Sequence, residues 1–61
     1  MRDQTTKLLK KLAKGGFRIL NVSEWVSVKG TARLDVTVEF PESGQVVQFF
    51  YALRNGEYRN V

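Results

Sequence analysis

Residues 32–58 read ARLDVTVEF-PESG-QVVQFFYALR-NG-EY, and this stretch decides the fold. Leu34, Val36, Val38 and Phe40 alternate with Arg33, Asp35, Thr37 and Glu39. Strict alternation marks a half-buried strand with one apolar and one polar face. Pro41-Glu42-Ser43-Gly44 supplies turn residues between that strand and the next, Gln45 to Arg54. Asn55-Gly56 is a strong two-residue hairpin signal, because a type I′ turn needs positive φ at both positions. Glu57 to Val61 then reads as a short last strand.

Loop lengths fix the pairing. A four-residue loop at 41–44 sets Val38 against Val47, Val36 against Phe49 and Leu34 against Tyr51. A two-residue turn at 55–56 sets Leu53 against Tyr58 and Ala52 against Arg59. Both registers gather apolar residues on one face, as a buried face requires. The opposite face then carries Arg33, Asp35, Thr37, Gln48, Phe50, Ala52, Arg54, Glu57, Arg59 and Val61. Arg33, Ala52 and Arg59 form one row across it, and Asp35, Phe50 and Val61 the next.

Working toward the N-terminus, Phe17 to Val28 is rich in β-branched and aromatic residues. Its length suggests one bent strand, with a bulge or break near Asn21 to Ser23, closed by a turn at Lys29-Gly30. Trp25 joins the Asp35–Phe50–Val61 row in one register, and a shift of one residue moves it into the core. Before this strand, Leu8, Leu9, Leu12 and Ala13 follow helical spacing and define a stripe to be buried. Asp3, Thr5 or Thr6 can cap the helix, and Gly15-Gly16 stops it. A helix of about twelve residues needs tertiary packing to hold it. The expected fold is α+β: one domain over residues 1–61, with an N-terminal helix on one face of a three- to four-stranded antiparallel β-meander (α-β-β-β-β).

A chain of 61 residues buries only about 60% of the surface exposed when unfolded, so its stability is marginal. The chain has no cysteine and no histidine, which excludes disulfides and Cys/His zinc sites. Tight packing or self-association remains, and a homodimer is one expectation. The polar N-terminus lacks an apolar signal core, and no apolar run approaches the roughly 20 residues of a membrane span. A cytoplasmic protein without cofactor, metal or membrane partner is the default expectation.

The net charge of +4 is unevenly spread. Residues 1–18 hold Arg2, Lys7, Lys10, Lys11, Lys14 and Arg18 against Asp3 alone, whereas residues 19–61 hold four basic side chains against five acidic ones. Such asymmetry suggests an anionic partner for the first segment. Lys7, Lys10, Lys11 and Lys14 recur at i, i+3, i+4 and i+7, about 100° of helix arc nearly opposite the leucines. They are the expected phosphate-contacting residues, DNA or RNA, with Arg2 and Arg18 helping. The alternative is a solvated face that keeps a small protein soluble. A second candidate is the open sheet face, where Arg33, Phe50, Arg59 and Trp25 offer either a base-stacking platform or a dimer or partner-protein interface. Exposed apolar clusters most often mark association, which favours the interface. Asp35 and Glu39 share a strand face, but alternating charge on a solvated strand explains them. No nucleophilic set or phosphate-binding glycine loop can be assembled, so no catalytic residue is expected. The apolar side of the helix, three leucines and an alanine, is needed by the sheet and is not available to a membrane surface.

The order helix–strand–strand–strand, with a helix ending in Gly15-Gly16-Phe17 and a later Val28-Lys29-Gly30-Thr31, resembles the start of HicA-type RNA-targeting toxins. These have a double-stranded-RNA-binding-like fold, and the resemblance covers about two-thirds of the chain. The working histidine of that family follows the glycine. Ala32 and Arg33 stand there instead, so nuclease activity is not implied.

Overall fold

A computed structural model describes residues 2–61. Helix α1 (Asp3–Lys14) is followed by four strands, β1 (Arg18–Val26), β2 (Ala32–Glu39), β3 (Val46–Arg54) and β4 (Glu57–Asn60). They form one antiparallel sheet in the order β1-β2-β3-β4. The α+β meander is therefore the architecture, with all four strands present.

The two turn-defined hairpins pair as their loop lengths require. Val38 meets Val47, Val36 meets Phe49, and Leu34 meets Tyr51. The 41–44 loop is closed by the Phe40 N–H donating to the Gln45 carbonyl at 2.9 Å and the Gly44 N–H donating to the Phe40 carbonyl at 2.7 Å. Asn55 and Gly56 have φ of 51° and 79°, the left-handed pair of a type I′ turn. That turn sets Leu53 opposite Tyr58 and Ala52 opposite Arg59.

The first hairpin holds an irregularity. Ile19 pairs with Val38 and Asn21 with Thr37, so Leu20 is an extra residue in β1. The bulge lies just N-terminal to the expected Asn21–Ser23 position. It settles the placement of Trp25: the residue opposite it is Arg33, not Asp35. Trp25 thus lies in the Arg33–Ala52–Arg59 row of the open face, neither in the neighbouring row nor in the core.

The core lies between α1 and the other sheet face. Leu34, Val36 and Val38 of β2 are fully buried, with Tyr51 of β3 nearly so. Leu8, Leu9 and Leu12 pack on them together with Phe17, Ile19, Val22, Val47, Phe49 and Tyr58. Phe17 sits edge-on to Phe40 and Phe49 at 5.1 and 5.5 Å between ring centroids.

The helix departs from expectation at its start. Its N-cap is Arg2, and no side chain caps it. Asp3 lies in the first turn, where a carboxylate suits the helix dipole. The Thr6 hydroxyl donates back to the Arg2 carbonyl at 3.4 Å. Thr5 is fully buried, while Ala13 is exposed. At 100° per residue, Thr5 lies about 15° from the centre of the leucines and Ala13 about 90° from it. The buried stripe is therefore Thr5, Leu8, Leu9 and Leu12. Neither the Thr5 hydroxyl nor the Tyr58 hydroxyl, both buried, has a hydrogen-bond partner among the described residues.

The helix end follows the glycines. The Phe17 N–H donates to the Leu12 carbonyl at 3.2 Å and the Gly16 N–H to the Ala13 carbonyl at 3.1 Å, the two bonds of a Schellman motif. Gly16 takes the left-handed position, φ 95°. Gly15 remains right-handed, φ −76°.

Candidate nucleic-acid interface

The lysine face follows from the burial of the leucines. Because Thr5, Leu8, Leu9 and Leu12 turn toward the sheet, Lys7, Lys10, Lys11 and Lys14 turn away from it, and all four are exposed. The ion pairs among the described residues are Arg18–Glu39 and Arg59–Glu57, each 3.5 Å. Asp3, four residues before Lys7, shares this helix arc, but no acidic side chain lies within ion-pair distance of the stripe among the described residues. Lys11 and Lys14 occupy the last helical turn, where positive charge suits the dipole and partly offsets their mutual repulsion. Lys7 and Lys11 also border a shallow groove of about 480 Å³ against Asn55, Gly56, Glu57 and Tyr58.

The two arginines expected to help are placed differently from each other. Arg2 is exposed at the helix start. Arg18 begins β1 opposite Glu39, which faces the open side of the sheet, and its guanidinium donates to the Glu39 carboxylate. The structure thus groups the four lysines on one helix face and sets Arg18 in the sheet, held by an acid.

The second candidate surface lies on the far side of the sheet. Trp25 and Phe50 are 45% and 44% exposed, and Val46 and Val61 slightly more. The Arg33 guanidinium sits 5.5 Å from the Trp25 ring centroid, a cation–π contact. Ala52 faces the same side yet is fully buried, because Arg33 and Arg59 flank it in the row. The Val61 N–H donates to the Phe50 carbonyl at 3.0 Å, which holds the chain end beside Phe50. Asp35 is half-buried in the row of Phe50 and forms no ion pair among the described residues. Arg33, Phe50, Arg59 and Trp25 are thus brought together, but on the side of the sheet opposite the lysines.

No cluster of three or more acidic side chains able to hold a metal occurs among the described residues, and no described helix is long and apolar enough to cross a membrane. No protein-family model matches the chain, nor does any curated protein or any solved structure.

Proposed function

We propose that this protein binds nucleic acid through the lysine face of α1, without reading sequence, as an accessory or regulatory factor rather than an enzyme. The observation supporting this is that Lys7, Lys10, Lys11 and Lys14 share one exposed helix face with no acidic partner among the described residues. Like charges at these spacings cost the helix a few tenths of a kcal/mol per pair. A phosphate backbone removes that repulsion, and the released counterions add a favourable entropy. Arg2 extends the basic surface. Arg18 stands apart at the start of β1 beside Glu39, so the reading rests on the lysines. Contacts by these lysines to phosphates carry no sequence information, so DNA and RNA should both bind.

Fluorescence anisotropy at low salt, with DNA and RNA as duplexes and single strands, tests this. Binding to all of them is expected, with a large loss in Lys10→Glu/Lys14→Glu. Absence of binding, or binding that ignores the double substitution, refutes the proposal.

A further inference from the structure

We infer that the open face of the sheet is the contact between two copies of this chain, stacked face to face about a two-fold axis. The charge pattern of the face supports a second copy over a nucleic acid. It carries Arg18, Arg33, Arg54 and Arg59 interspersed with Asp35, Glu39 and Glu57, a mixed field that a polyanion would not favour. The mixture is also self-complementary. On β2, Arg33 and Asp35 are two residues apart on this face, and neither is in an ion pair among the described residues. On β3, Ala52 and Phe50 stand beside them in the same two rows. A two-fold axis lying across the strands, between these rows, exchanges the rows between copies. Arg33 then meets Asp35 of the second copy, and Phe50 lies over the Arg33 and Arg59 side chains that cover Ala52 of the second copy. Each contact occurs twice, as an isologous interface requires. The strands of the two sheets stay nearly aligned, the usual arrangement of stacked sheets.

The size is sufficient for a weak dimer. The four strands contain 9, 8, 9 and 4 residues. At about 3.3 Å rise and 4.8 Å strand spacing they cover roughly 475 Å² per copy in projection. Two copies therefore bury about 1,000 Å², the lower bound for a specific interface. Trp25, Val46, Phe50 and Val61 would be withdrawn from water, in a chain whose own core fully buries only a few apolar side chains.

The assembly would be helix–sheet–sheet–helix, with about 10 Å per layer step and the helices roughly 30 Å apart. Its two lysine faces point in opposite directions. Resting here on the proposed function, such a dimer would link two nucleic-acid molecules instead of clamping one.

Sedimentation velocity from about 1 to 300 μM protein tests the interface, with association expected within that range. Phe50→Asp places a carboxylate in the contact and should weaken association roughly thirtyfold or more. Asp35→Arg should weaken it about tenfold through like-charge juxtaposition, and it keeps the assay decisive should Phe50→Asp unfold. Circular dichroism melting separates loss of contact from loss of fold. A protein monomeric throughout, or folded variants that both associate like the native chain, would overturn the inference. Linkage is read by capturing a fluorescent duplex on a surface-bound one. The native chain should link them, while Phe50→Asp binds either duplex without linking. A dimer that binds no duplex refutes the proposed function and leaves the interface standing. A folded monomeric variant that still links duplexes overturns the face-to-face geometry.

Discussion

The steepness with which salt weakens nucleic-acid binding follows from the length of the lysine stripe. Lys7 and Lys14 are seven residue steps apart, about 10 Å along the helix. Phosphates advance about 3.4 Å per nucleotide along each strand, so the stripe spans about three phosphate steps. Four lysines can therefore each neutralise one phosphate. At about 0.9 per contact, log K should fall with log salt at a slope near −3.6 on duplex DNA. Between about 50 and 200 mM salt, that is a loss of roughly 150-fold. Lys10→Gln/Lys14→Gln leaves two contacts, a slope near −1.8 and a loss of roughly twelvefold over the same range. Glutamine has nearly the helix propensity of lysine, so the helix should persist. Anisotropy titrations at four salt concentrations measure both slopes. A native slope shallower than about −1, or an unchanged slope in the double variant, would refute phosphate contact by this face.

Further expectations concern folding. Gly16→Ala should destabilise by about 1–2 kcal/mol, because Gly16 is left-handed although open space surrounds it. Gly15→Ala should be neutral or stabilising by up to about 1 kcal/mol, because Gly15 is right-handed and an added Cβ meets nothing nearer than the Leu12 carbonyl oxygen at 3.4 Å. Urea denaturation of the two variants should separate them in this order, and the reverse order would contradict the cap geometry. Thr5→Val should raise stability by about 1 kcal/mol, since it removes a buried hydroxyl lacking a partner among the described residues. A lower urea midpoint would mean that the hydroxyl is satisfied. Burial pushes the Tyr51 phenol above its ordinary value of 10, although the neighbouring Asn60 side chain opposes the rise. A folded value above the unfolded one gives stability that is present below pH 10 and lost as pH rises through the folded value. Tyr51→Phe should therefore flatten the fall of melting temperature above pH 10, and an equal fall in both proteins would count against it.

The two C-terminal hairpins were legible because their loops are short and the side-chain period is two. Four residues at 41–44 and Asn55-Gly56 leave one register that buries Leu34, Val36 and Val38. The first hairpin was not legible to the same degree. Ile19, Leu20, Val22, Trp25 and Val26 occupy both parities of β1, so hydrophobicity alone fixes no face. The Leu20 bulge switches the parity midway, and only backbone geometry locates it. Thr5 escaped notice because a threonine near a helix start reads as a cap. Its angular position, nearly central to the leucines, was the available signal. The lysine face needed only periodicity. The separation of Arg18 from it required the strand start and the acid opposite.

Trp25 is the sole tryptophan of the chain, nearly half exposed, with a guanidinium on its ring. The molecule thus carries an intrinsic optical probe on one side only. An occupant of the open sheet face would displace water from the indole and shift its emission to shorter wavelength. A ligand held by the helix lysines, with the whole sheet intervening, would leave the indole's surroundings unchanged. The native chain can therefore report, without any label, which of its two sides is in use.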